Sequence, residues 1–260
     1  MDFFSIDNIL FSIGGYGVSW LEFLTTISGL TCVFLAARGK SINYFIGYFY
    51  TFLLFFLFLQ KHLYSSMMLQ PVSLVISVFG HYRWTHPKQG EENEKHELKV
   101  TLLSKDKRIF HIVLVLIFAA IWGFVLSKLG SIFPNTFPPA RLPFLDAAIT
   151  MCILTAQYLS AQKKLECWAA WITVNLTNLM QYLLVGLIFM PIVCVVYLIL
   201  AFVGVTIWTK KMKESLEIKS EEIQNKNTIN ENIINENQNI NIETNINIET
   251  EIKIKIKDKQ

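Results

Sequence analysis

Trp168, Trp171, Asn175, Asn178 and Tyr182 recur at spacings of three and four residues within the segment CWAAWITVNLTNLMQYLL. On a helix this spacing puts all five on one stripe. The two indoles offer flat, electron-rich faces on which an aromatic or cationic ring can stack. The two amides add donors and acceptors suited to a carboxamide or to sugar hydroxyls. This is equipment for holding a small polar aromatic molecule, although Asn in apolar helices also serves as interhelical glue, and a Trp four residues past Lys164 can anchor at an interface.

Further polar side chains fall on shared faces of neighbouring apolar segments. Asp146, Thr150 and Gln157 lie close to one face, because eleven residues make roughly three helical turns; Asp146 sits near the segment's start, where Arg141 is an available partner. Ser66, Gln70, Ser73 and Ser77 form a stripe beside Pro71, which removes a backbone donor and predicts a kink. Tyr44, Gly47 and Thr51 form a third. Polar side chains inside a bilayer are costly and turn toward the bundle or a water-filled cavity. The candidate ligand-binding set is therefore Trp168, Trp171, Asn175, Asn178, Gln70, Gln157, Asp146 and Thr51.

The elements that must position this set are membrane spans. The chain has 260 residues, 53% of them hydrophobic and 20 of them Phe, against roughly 45–50% apolar in soluble domains. Apolar segments near 18–37, 43–60, 63–83, 110–129, 142–161, 167–186 and 189–209 are each close to the ~20 residues that cross a bilayer core. They lack the alternating polar face of a barrel. The expected fold is an all-α integral membrane protein of seven transmembrane helices. Residues 1–16 carry Asp2 and Asp7 and no basic leader, which argues against a signal peptide and for a short or interfacial helix.

Basic residues follow alternate spans. Arg38 and Lys40 follow the first, Arg83 through Arg108 the third, Lys163 and Lys164 the fifth, and Lys210, Lys211 and Lys213 the seventh. The other connections carry only Lys61, Lys128 and Arg141. By the positive-inside rule the amino terminus is outside and the carboxyl terminus cytoplasmic. Trp84 and Trp208, ending the third and seventh spans, read as aromatic-belt residues.

Leu35–Trp84 can also be laid over Leu159–Trp208 without a gap, pairing Lys40 with Lys164, Leu63 with Leu187, Leu74 with Leu198, Gly80 with Gly204 and Trp84 with Trp208. Residues 17–84 and 141–209 are then two parallel three-helix repeats, with 110–129 as the linker helix, a transporter signature whose ligand site lies near the midplane. Residues 85–109 read as a solvated, charged cytoplasmic loop. Residues 210–260, in which NINIET occurs twice from Asn239 to Thr250, read as a low-complexity tail, disordered or strand-prone at EIKIKIK.

Catalytic and metal chemistry find no foothold. Cys32, Cys152, Cys167 and Cys194 sit singly, and the His at 62, 81, 86, 96 and 111 form no ligand motif. Asp146 alone supplies no acid/base pair. No cofactor, metal or nucleic-acid partner is expected, and the chain is not expected to be an enzyme.

The segment WAAWITVN fits a WxxWxxxN pattern preceded by the basic QKKLE loop. With GKSINYFIGYFYTFLLFFLFLQKHLYSSMMLQPVSLVISVFGHYRW it resembles the PnuC family of bacterial vitamin transporters over roughly residues 17–209. The resemblance implies uptake of nicotinamide riboside, a vitamin B3 form and NAD precursor, by facilitated diffusion through the cytoplasmic (inner) membrane. It also implies a three-plus-one-plus-three fold similar to SWEET-type transporters, a homotrimer, and functional coupling to a cytoplasmic riboside kinase. The motif falls on Trp168, Trp171 and Asn175. Family members that carry thiamine or riboflavin keep those substrates open, and a receptor or scaffold working through its loop and tail is the alternative of another class. No Lys or Arg lies near the midplane to pair with a phosphate, which favours the riboside over the mononucleotide.

Overall fold

A computed structural model of the chain describes residues 5–61, 64–93, 96–133, 142–184 and 189–257. Its first element differs from expectation. Strands β1 (Ile9–Ile13) and β2 (Tyr16–Ser19) pair antiparallel, joined through Gly14 and Gly15 at φ 57° and 83°. Two successive left-handed residues are what a type I′ hairpin turn demands, and glycine meets that demand without a Cβ clash. The short N-terminal helix is therefore replaced by a hairpin, and residues 1–4 lie outside the described part.

The hairpin ends in a capping box. The Ser19 side chain accepts from the Glu22 amide, and the Glu22 carboxylate takes the Ser19 amide. Glu22 also accepts from the Tyr16 hydroxyl at 2.6 Å and pairs with Lys61, while the Ile6 amide donates to Gln60 Oε1 at 3.0 Å. Hairpin and first two helices are thereby tied together at one end of the bundle, here the hairpin end.

Among the described residues seven helices follow: α1 (Trp20–Ala37), α2 (Asn43–Gln60), α3 (Tyr64–Thr85), α4 (Lys105–Ile132), α5 (Pro143–Ala161), α6 (Glu166–Leu184) and α7 (Phe189–Lys257). Connections of a few residues make α1, α2 and α3 antiparallel neighbours, and likewise α5 and α6. Among the described residues, α1, α2, Lys105–Leu129 of α4, α5 and Met190–Asn230 of α7 are long and apolar enough to cross a membrane. Helices α3 and α6 have the length, at 22 and 19 residues, but carry the polar stripes. Helix α4 packs on α5, where a Cβ on Gly123 would collide with the Phe144 ring, and most of its other surface is exposed apolar side chains.

Helix α7 runs on to Lys257 where disorder or a strand was expected, and residues 213–260 form a separate unit. The tail's Glu and Lys are good helix formers, while its many Asn and Ile are weaker ones.

At the opposite, basic end, residues 124 apart make matching contacts. The Lys40 amide donates to Leu35 O at 3.0 Å and the Lys164 amide to Leu159 O at 2.9 Å. Gly39 and Lys163, one residue earlier, are both left-handed, at φ 74° and 52°. Trp84 Nε1 donates to Ser160 O at 3.0 Å, and Trp208 Nε1 to Ala36 O at 3.2 Å. Each indole thus bonds a carbonyl of the other three-helix set. Tyr44 meets Trp84 edge-on at 5.2 Å and Trp168 meets Trp208 edge-on at 5.4 Å, with Trp84 and Trp208 5.9 Å apart between them. A Cβ on Gly80 would strike Tyr44 and one on Gly204 would strike Trp168. The belt reading of Trp84 and Trp208 is therefore corrected: they are 4% and 0% exposed and form the core of this end. Of the aligned pairs, Leu63 and Leu187 lie outside the described residues.

The segment before α4 departs from a solvated connector. Leu98, Val100 and Leu103 are buried against the aromatic cluster. The Thr101 amide donates to Lys163 O at 3.2 Å and Thr101 O accepts from the Leu165 amide at 3.0 Å, while Glu166 Oε1 receives the Leu103 amide and Arg108 Nε at 2.9 and 2.8 Å. Leu98, Val100 and Leu103 give this strap its grip.

Candidate ligand-binding site

The α6 stripe starts in the aromatic core and runs inward. Trp168, 2% exposed, lies against Gly204 and Trp208, and Trp171 packs half-buried on the same cluster. Asn175, the tenth of 19 residues in α6, sits roughly 10 Å deeper, at 1.5 Å per residue. It is buried, and its Nδ2 donates to Trp171 O at 2.8 Å. Asn178 is half-buried one turn further on.

The remaining predicted residues come from four other places. Thr51 is buried midway along α2. Gln70 is buried on α3, its Nε2 donating to Ser66 O at 3.1 Å. Gln157 is half-buried near the end of α5, and Asp146, in the first turn of α5, accepts from Gln181 Nε2 at 3.4 Å. Arg141, its expected partner, lies outside the described residues. Gln70 and Asn175 share a device: each spends an amide N–H on the carbonyl four residues back in its own helix, leaving its carbonyl oxygen as an acceptor.

Trp168 thus belongs to the packed basic end, while Asn175 and Thr51 lie at mid-helix; Asp146 lies at the hairpin end. Sequence reasoning missed a phenol pair. Tyr50 of α2 and Tyr197 of α7 hydrogen-bond each other, and Gly29 of α1 is the residue that leaves room for them, since a Cβ there would strike both. With buried Thr25 and Ser28 on α1, among the described residues every helix except α4 places a polar side chain in the interior.

Among the described residues three buried side-chain polar atoms have no partner: Glu166 Oε2 and, in the predicted set, the donor Trp168 Nε1 and the acceptor Gln157 Oε1. Buried polar groups are nearly always paired, so an orphan marks a place for a water or a ligand. No described cation lies at the depth of Asn175. At the basic end, Lys163 is buried with Nζ 4.6 Å from the Trp84 ring centroid. Burial pushes its ammonium down to about 8; Glu97 works against this and Lys211 with it. The cleft at this end, lined by Arg83, Lys107, Tyr158 and Lys164 among others, includes none of the α6 stripe.

A family model described as nicotinamide mononucleotide transporter matches residues 19–210. The nicotinamide riboside transporter PnuC of Escherichia coli (strain K12) is 31% identical over 235 residues, covering 82% of this chain and 97% of that protein. The transporter of the same name from Neisseria mucosa is 27% identical, over 75% of this chain and 74% of its own. A crystal structure of the vitamin B3 transporter PnuC aligns with a TM-score of 0.59 at 21% identity, covering 75% of this chain and 83% of that one. At that identity the likeness speaks for the fold alone.

Proposed function

This chain belongs to the nicotinamide mononucleotide transporter family, and from that premise we propose that it moves nicotinamide riboside across a membrane. The observation that carries the substrate is the match to the Escherichia coli riboside transporter, which spans 97% of that protein. The family's description names the mononucleotide, but the chemistry of the interior favours the riboside. A phosphate entering beside Asn175 would meet no cation, and a buried unpaired charge is very costly. The riboside's pyridinium suits an indole face. Its carboxamide N–H groups suit the unpartnered acceptor Gln157 Oε1.

In this reading all seven helices span the bilayer, α3 and α6 turning their polar stripes inward. Two parallel three-helix repeats, α1–α3 and α5–α7, are joined by α4 in the SWEET-like order, and the reciprocal Trp84 and Trp208 bonds support it. Trp171 stacks the ligand, Asn175, Asn178, Gln70, Gln157 and Thr51 bond it, and Asp146 and Trp168 bound its path at either end. The basic end faces the cytoplasm of a bacterial inner membrane and the hairpin end faces outward. The aromatic cluster is the closed inner gate. The chain works as a homotrimeric uniporter without catalysis, feeding NAD biosynthesis through a cytoplasmic kinase that phosphorylates, and so traps, the riboside.

Calorimetric titration of the purified protein tests the site. Nicotinamide riboside should bind, the mononucleotide should not, and Asn175→Ala should remove the riboside signal while the protein keeps its melting temperature. Equal affinity for riboside in wild type and Asn175→Ala would sink the assignment of α6.

A further inference from the structure

The transport reading leaves one cavity without a role. A cleft of about 470 Å³ opens at the basic end between the ends of α3 and α5, the start of α4 and the strap. Two kinds of side chain line it. The aromatic wall is Phe110 and Tyr158, both exposed, with Tyr158 stacked on Phe79 and on His111. The basic wall is Lys99, Lys164 and Lys107, the last one turn before Phe110 on α4, beside Arg83, which is paired with Glu91 at 2.9 Å. Glu91 is the acid that lines the cleft, so positive charge is in excess. Lys164 Nζ donates to Thr101 Oγ1 at 2.7 Å, which holds one ammonium in place. Burial lowers the pKa of Lys164, and the charge of Lys107 adds to that, with Glu166 and Glu91 opposing.

Lysines crowded at the edge of a bilayer repel each other unless an anion joins them, and a free anion would have no use for the aromatic wall. A ligand carrying both a phosphate and an acyl chain uses both walls, and basic pockets between membrane helices on the leaflet surface recognise acidic headgroups in this way. We propose that this cleft binds an acidic phospholipid of the leaflet at the basic end. Lys99, Lys107 and Lys164 hold the headgroup phosphate, and Phe110 and Tyr158 hold the first carbons of an acyl chain. The proposal requires that the chain span a bilayer and is independent of what it transports.

Native mass spectrometry of the full chain with phosphatidylglycerol and phosphatidylcholine tests it. Wild type should retain phosphatidylglycerol in preference to phosphatidylcholine. Each lysine near the surface is worth about fivefold, so Lys99→Gln with Lys107→Gln should lose on the order of 25-fold. Both side chains are free of described bonds, so the variant should fold. The charge-matched pair Lys88→Gln with Lys105→Gln, exposed residues that do not line the cleft, should retain the lipid as wild type does. Equal retention of the two lipids by wild type, or equal loss in both double variants, would overturn the site. Displacement of phosphatidylglycerol by equimolar inorganic phosphate would overturn the lipid and leave a phosphate cleft.

Discussion

Helices α1–α3 and α5–α7 carry the same frame at the basic end and different surfaces at mid-helix. Tyr44, Gly80 and Trp84 repeat as Trp168, Gly204 and Trp208, with the same edge-on rings and the same glycine contact. One turn and two turns further in, Gly47 and Thr51 stand where Trp171 and Asn175 stand. The vacant side of Gly47 is filled by Cys32 Sγ, 3.4 Å from where a Cβ would be, so α2 spends this position on packing against α1. Glu22 and Asp146 also occupy matching first turns. Glu22 is held by the cap, Tyr16 and Lys61, whereas Asp146 has Gln181 as its described partner. The matched frame packs the basic end, and in the proposed reading the unmatched positions give Trp171 and Asn175 the larger share of the ligand contacts and Thr51 the smaller.

Substitutions at matched positions can break that division. The largest effect is expected from Asn175→Ala, which should lower riboside uptake roughly 10- to 100-fold, the worth of a buried polar contact to a ligand. Thr51→Ala should lower it by less than about threefold, and equal losses would mean that the two halves share the ligand evenly.

Next come the glycines. Gly204→Ala forces the rigid Trp168 indole aside and should destabilise by roughly 1–3 kcal/mol, within the range for overpacking, with reduced uptake. Gly80→Ala displaces the outer part of the Tyr44 ring and should lower the melting temperature less, leaving uptake near wild type.

The reciprocal indoles sharpen the comparison. Trp84→Phe and Trp208→Phe each delete one part-buried hydrogen bond and leave part of the indole's space unfilled, so each should lose at least about 1 kcal/mol in thermal or denaturant unfolding. Because the rings touch, the double variant should depart from additivity by about 0.5 kcal/mol or more.

The smallest effect concerns Gly39 and its counterpart Lys163. The folded ammonium of Lys163 loses its proton near 8 and the unfolded one near 10.5. Between those values the unfolded state binds more protons, so this lysine makes stability rise with pH there. Lys163→Gly should flatten that rise in melting temperature and leave the profile below pH 8 parallel to wild type.

Helix positions were legible because apolar length is a property of composition: α2 begins and ends where hydropathy placed it, at Asn43 and Gln60. Helix α4 begins five residues before its apolar run because Ser104 caps a charged first turn that hydropathy cannot register. The hairpin turned by Gly14–Gly15 escapes hydropathy, because strands of five and four residues are far shorter than a span. Trp84 and Trp208 fit the composition of a belt, and only their contacts with Ser160 and Ala36, distant in sequence, reveal a core. The α6 stripe could be read from spacing within one helix. Tyr50 and Tyr197 could not, since each is a lone phenol among apolar neighbours and their pairing exists only after α2 and α7 pack.

Uptake of labelled nicotinamide riboside into liposomes containing the purified protein tests the central claim most directly. Saturable entry, competed by unlabelled riboside and left unchanged by excess thiamine, riboflavin or the mononucleotide, is the result expected. Entry no faster than in empty liposomes, or entry competed equally by thiamine, would contradict riboside transport by this chain.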